Sequence, residues 1–238
     1  MRRYQAPEVT VSFSVHTWFE YHNRAHGSYT GEPDMVEWLK NMLVPGDVFW
    51  DIGVNVGAYS ILAAKLCPGA HVFSFEPFIP TFAHLWENVV LNDVATQVFP
   101  ICAGLSDHTA PESLAVSDPR AGSSCHNVGG TDGVLQQGVL AARGDDLCKL
   151  FGLPAPTLLK LDIDGLDPSI VPGVIGRAPG GLGYWQTVEL IHGVASKARL
   201  SAFNLVEFMP ERDVDQLGAL VCARLIANVL GVVARAKS

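Results

Sequence analysis

The ten residues Val48-Phe49-Trp50-Asp51-Ile52-Gly53-Val54-Asn55-Val56-Gly57 constrain the fold of this chain more than any other segment. An apolar run delivers an acid, a turn with two glycines follows, and Ala58 to Leu66 then carries a helical pattern. A buried strand that hands the chain to a helix through such a turn opens a βαβ unit. Gly53 and Gly57 let the backbone pass close to a ligand with no Cβ in the way. The dinucleotide fingerprint G-x-G-x-x-G is absent, because Asn55 replaces the glycine that makes room for pyrophosphate. A ligand without phosphates fits better, and a nicotinamide oxidoreductase is disfavoured. By itself the motif also reads as a tight βα turn that binds nothing.

The alternation continues downstream. A strand over His71–Phe75, a helix over Thr81–Leu91 and a strand over Gln97–Cys102 predict a parallel sheet with right-handed crossovers. Strand character returns at Thr157–Leu161 and at Tyr184–Ile191, while Phe203–Met209 reads as a strand and Asp213–Ala234 as a helix. Upstream, Val9–Val15 alternates as a strand, His16–His26 reads as a short helix, and Pro33 opens a helix ended by Pro45-Gly46. Residues 1–44 are therefore an N-terminal extension and 45–238 the main domain. Ser106–Arg143, rich in Gly, Ser and Asp, predicts surface strands and a loop over the carboxyl edge of the sheet. Its stretch from Gly122 to Gly133 either covers an acceptor or is a plain linker.

With 48% hydrophobic and 17% charged residues, the chain can bury a core and is not disordered overall. A net charge of −8 argues against a general nucleic-acid binder. Five scattered cysteines without a C-x-x-C pair fit reduced thiols in the cytoplasm. The apolar stretch Leu217–Ala236 is interrupted by Arg224, Asn228 and Arg235, so no membrane span is expected. An apolar tail of this kind also suits a dimer contact, and nothing in the sequence sets the oligomeric state.

Three more strand ends carry acids. Glu76, closing Phe73-Ser74-Phe75-Glu76-Pro77, stands about 20–25 residues beyond the glycine turn, where a carboxylate accepts hydrogen bonds from ribose hydroxyls. Asp162 and Asp164 lie in Leu158-Leu159-Lys160-Leu161-Asp162-Ile163-Asp164-Gly165. There an acid orients an acceptor, acts as a base or shares a metal, although Asp164 or Asp167 equally reads as a helix cap. His192, after Val188-Glu189-Leu190-Ile191, is a second candidate base. Asp162, Asp164, Glu189 and His192 carry enough donors for a divalent ion, but no spacing demands one.

Taken together, PGDVFWDIGVNVGAYS, FSFEP, WENVVLND, CAGLSD, LLKLDIDG and VELIH resemble, in order, the FkbM family of methyltransferases. The resemblance runs from about Pro45 to His192; beyond His192 no family piece is recognised. It implies a seven-stranded Rossmann-like class I methyltransferase sheet with helices on both faces, an α/β fold. It also implies S-adenosylmethionine as cofactor and O-methylation of a sugar, polyketide or other small-molecule hydroxyl. Carried over by position, Asp51, Gly53, Asn55, Gly57, Tyr59 and Ser60 surround the methionine end of the cofactor. Glu76 holds the ribose, Pro77, Phe78, Ser106 and Asp107 lie by the adenine, and Asp162 faces the reacting methyl. Asp162 or His192 then takes the acceptor's proton. N-methylation on the same fold, or a catalytically idle cofactor-binding scaffold, is the alternative.

Overall fold

The computed structural model describes residues 2–5, 9–174, 181–195 and 199–236; the outermost residues of the two expected units, 1 and 237–238, lie outside them. The chain opens with β1 (Arg2–Gln5) and β2 (Thr10–Phe13), an antiparallel pair. The strand expected over Val9–Val15 is thus shorter, with Val11 and Phe13 buried. Instead of one helix, the histidine-rich stretch forms α1 (Trp18–Glu20), a π-helical turn (Tyr21–His26) and α2 (Gly27–Gly31). Then comes α3 (Pro33–Met42), with proline at its first position where the missing N–H costs nothing.

The main sheet is built from β3 (Val48–Ile52), β4 (His71–Phe75) and β5 (Val98–Ile101), joined by α4 (Ala58–Leu66) and α5 (Ile79–Leu91). A second sheet follows: β6 (Gly104–Leu105), β7 (Ala110–Val116), β8 (Asn127–Val128) and β9 (Leu135–Ala142), in the order β6-β9-β7-β8. The chain then passes through α6 (Gly144–Phe151) to β10 (Leu158–Asp162), α7 (Tyr184–Ala195), β11 (Ala202–Val206) and α8 (Leu217–Ala236). The main sheet is parallel throughout, in the order β11-β10-β3-β4-β5. It has five strands among the described residues, not the seven that the family resemblance implies.

Period-two alternation sorts the strands between two cores. Phe49, Val72, Val98 and Leu158 face α3, α4 and α5; Trp50, Ile52, Leu159 and Leu161 face α6, α7 and α8. The expected strand over Tyr184–Ile191 is instead α7. Thr187, Val188, Leu190, Ile191 and Val194 are buried at helical spacing, and so short an apolar run does not distinguish the two periods by itself. The strand expected to reach Met209 stops at Val206, where Glu207 turns into the left-handed region (φ 70°).

The motif WENVVLND has a structural use that sequence reasoning missed. Asn88 on α5 and Asn92, the residue that caps its C-terminal end, are four apart and share one helix face. Asn92 accepts from Ser12 N at 2.9 Å and donates to Ser12 O at 2.7 Å, as a neighbouring strand would. Asn88 accepts from Ser14 N at 2.8 Å and donates to Val56 O at 3.0 Å, tying the segment after β2 to the glycine turn.

Candidate cofactor and acceptor site

At the carboxyl ends of β3, β4 and β10 the chain encloses a cavity of about 500 Å³. This is within the range for small-molecule sites. Gly53, Asn55, Glu76, Pro77 and Asp162 line it, as does Asp164. Gly53 has φ +73°, and a Cβ there would meet Asp162 Oδ2 at 3.0 Å, so only glycine brings the turn this close to β10.

Glu76 is anchored at both carboxylate oxygens: Asn55 N donates to Oε2 at 3.0 Å and Phe78 N to Oε1 at 2.9 Å. Burial nevertheless pushes its pKa up to about 7 against those two bonds. Three non-glycine residues of the lining, Asn55 (φ 54°), Cys125 (φ 65°) and Glu207 (φ 70°), hold left-handed backbone conformations. Strain of that kind collects at ligand sites, where surrounding structure over-determines the backbone. Asn55 is held by its side-chain amide, which donates to Ser123 O at 2.8 Å.

Beneath the cavity a row of buried polar groups crosses three adjacent strands. Ser74, Asp51 and Lys160 are register partners on β4, β3 and β10. Ser74 Oγ donates to Ser60 Oγ at 2.7 Å, and Ser60 Oγ donates to Asp51 Oδ2 at 2.7 Å. Lys160 Nζ lies 3.2 Å from Asp51 Oδ1 and 3.0 Å from Asp162 Oδ2, and donates to Ile52 O at 3.2 Å. Burial alone would lower the lysine pKa, but Asp162 and Asp51 outweigh it and hold the ammonium charged. Asp162 Oδ1 is buried without a hydrogen-bond partner, and burial raises that carboxyl despite Lys160.

Asp164 and Glu207 complete an acidic wall. Burial first, then Asp162 and each other's neighbourhood, push Asp164 up to about 8; burial and Asp162 push Glu207 up to about 7. Facing them is Arg24, the one lysine or arginine among the described lining residues, whose Nε donates to Gly122 O at 2.6 Å. His126, edge-on to Phe78 at 4.4 Å between centroids, has its pKa lowered by burial to about 4 and is neutral.

The other expected site residues sit outside the lining. Asp51 and Ser60 are fully buried in the polar row, and act on the cavity only through Lys160. Gly57 caps α4, where a Cβ would meet Leu85 Cδ1 at 2.6 Å, so it serves helix packing. The one hydroxyl proton of Tyr59 is shared between Ser28 O, 2.6 Å away, and the carboxylate of Glu32. Phe78 is buried behind His126. Ser106 donates to Asp107, which pairs with His108. His192 stands in the last turn of α7, its Nε2 buried without a partner and away from the lining. Glu189 is on the same helix, 3.9 Å from Arg143. Both strand-end assignments therefore fall with the strand.

Sequence reasoning missed Phe19, Arg24 and Glu207 as lining residues. Glu207 follows the same rule as Glu76 and Asp162, an acid just past an apolar strand, and was open to the same argument. Arg24 has no local signal: a π-helical turn delivers it.

The fold and the site define a Rossmann-like α/β protein with a cavity at the carboxyl edge of a parallel sheet, the usual ligand position in this fold class. Comparison with known proteins sharpens this. The hexuronic acid methyltransferase AglP of Haloferax volcanii is 32% identical over 145 residues, 60% of this chain and 56% of that protein. A protein named as a methyltransferase is thus among the relatives that this chain resembles. Methyltransferase FkbM from Methylobacillus flagellatus superposes over 80% of this chain and 38% of its own, at 12% identity and a TM-score of 0.47.

Residues 145–231 match the arginase family model, which includes the part beyond His192 that no FkbM piece covers. Over 83 residues, 35% of this chain, the N(1)-aminopropylagmatine ureohydrolase of Thermococcus kodakarensis is 35% identical. The chain spans 56% of the length of the first relative and 28% of the second.

Proposed function

We propose that this chain binds S-adenosylmethionine and methylates a hydroxyl of a small acidic acceptor of the sugar type. Glu76 carries the reading. Its two oxygens are steered by backbone donors at the end of β4, beside a positive-φ glycine turn, which is how a carboxylate is prepared to receive the two hydroxyls of a ribose. Pro77, Ala103 and Leu105 give the apolar surface an adenine needs. When bound, the cofactor supplies an electrophilic sulfonium methyl.

The protein's own work is alignment and exclusion of water. Gly53 and Asn55 face the methionine end, while Asp51, Ser60 and Lys160 hold Asp162 from behind. Asp162, with its open acceptor Oδ1, takes the proton of the attacking hydroxyl. Arg24 holds a carboxylate on the acceptor, consistent with the name of the hexuronic acid relative.

The match to the arginase family favours a second reading, hydrolysis of a guanidino compound at the acidic wall. A divalent ion does not fit there. Among the described residues, Asp162, Asp164 and Glu207 do not bring three ligand atoms within 4.8 Å of one another, and Asp162 is already paired with Lys160.

Calorimetric titration with S-adenosylmethionine and S-adenosylhomocysteine, beside Glu76→Ala, tests the first reading. Micromolar binding abolished by the variant is expected. Because Glu76 titrates near 7, protonation removes an acceptor, so affinity should fall as pH drops from 8 to 6, and Glu76→Gln should flatten that dependence. Well-folded protein that binds neither compound would remove this function.

A further inference from the structure

Outside the cavity lining, three ligating side chains converge where the N-terminal extension meets α5. His84 and Glu87 lie three residues apart on α5 and share one face. His16, just after β2, places Nε2 at 2.9 Å from Glu87 Oε2, and its ring stacks on that of His84 with centroids 4.3 Å apart and planes 22° apart. One ligand atom from each of the three lies within 4.8 Å of the others.

The surroundings match those of a metal-binding imidazole. Nδ1 of His84 is bonded to Oε1 of Glu20, a carboxylate only 2% exposed. The other oxygen of Glu20 accepts from His16 N at 2.9 Å and Thr17 N at 3.0 Å, so one buried acid sets the position of both histidines. A carboxylate behind a histidine fixes the tautomer and aims the remaining nitrogen at a ligand. For His84 that nitrogen is Nε2. His16 and Glu87 are 47% exposed, which leaves an entry path.

We propose that His16, His84 and Glu87 bind one divalent transition-metal ion of the zinc type. Two imidazole nitrogens and one carboxylate oxygen are a ligand set that zinc accepts, with a fourth position left for water. The ion ties the N-terminal extension to α5. Because α1 and the π-helical turn continue from His16 and carry Phe19 and Arg24, it also steadies one wall of the cavity.

The test is titration of the purified full chain with Zn²⁺ against a chromophoric chelator, and with Co²⁺ followed by visible absorption. One equivalent is expected, with the intense ligand-field bands of four-coordinate Co²⁺. Glu87→Gln, a half-exposed change that leaves the fold intact, should weaken binding at least about tenfold, as should Glu20→Gln behind His84. No tight equivalent would overturn the proposal. So would an equivalent that survives Glu87→Gln combined with His16→Ala but is lost in Asp162→Asn combined with Asp164→Asn, since the ion would then sit in the cavity. Neither readout depends on methyl transfer.

Discussion

Asp164 shows how burial and charge act on one side chain. Its carboxyl is pushed up to about 8 by burial and by Asp162 and Glu207, well above the ordinary value of 3.8. A group whose pKa is higher in the folded than in the unfolded state takes up protons on folding. Its contribution is fully present below the unfolded value and is lost as pH rises through the folded one. Glu76 and Glu207, both near 7, act in the same direction. The ligand-free protein is therefore expected to lose stability between about pH 5 and pH 8. Asp164→Asn should raise the melting temperature at pH 8.5, by about 2–4 °C per kcal/mol relieved, and raise it clearly less at pH 5. Thermal melts of the two proteins at both pH values check this. An equal shift at both would mean that charge on Asp164 is not the cause.

At the scale of the element, α8 is the helix that the sequence predicts over Asp213–Ala234, and its two sides differ in burial. Val221, Leu225, Val229 and Val232 form one buried stripe at helical spacing and join the core shared with α6 and α7. The opposite side exposes Leu220, Ile226 and Leu230. The segment Leu217–Arg235 is also long and apolar enough to cross a membrane by length and composition, and most of it is not buried. Arg224, Asn228 and Arg235, which count against a span in the sequence, leave the segment that long and apolar. If the buried stripe is what holds the helix, Leu225→Ala should cost about 2–5 kcal/mol, the range for a fully buried leucine. Leu230→Ala on the exposed side should stay within about 0.5 kcal/mol. Denaturant unfolding of both variants distinguishes the sides, and similar losses would mean that the exposed stripe is buried in solution.

Across the whole molecule, β10 joins two kinds of likeness. It lies inside the segment matching the arginase family, yet it pairs in parallel with β3 of the glycine-turn motif and carries Lys160, the cation shared by Asp51 and Asp162. Removing that cation leaves two buried carboxylates uncompensated. Lys160→Met is expected to destabilise by about 3–5 kcal/mol, and Asp51→Asn in the same chain to restore part of it. Equilibrium unfolding of the single and double variants measures both; an additive loss would show the pair to be uncoupled. By itself the sequence determined the βαβ order, the glycine turn and the acids at the ends of β3, β4 and β10, because strand period, glycine freedom and strand-end polarity are local properties. Whether Val188-Glu189-Leu190-Ile191 ran as strand or helix was decided by what it packs against, since so short a segment satisfies either period. Which acids reach the cavity was likewise a tertiary matter. Alternation about β3 sends Asp51 to the α4 face beneath the sheet, the left-handed turn after β11 brings in Glu207, and Arg24 arrives from a helix whose distance along the chain says nothing of its place in space.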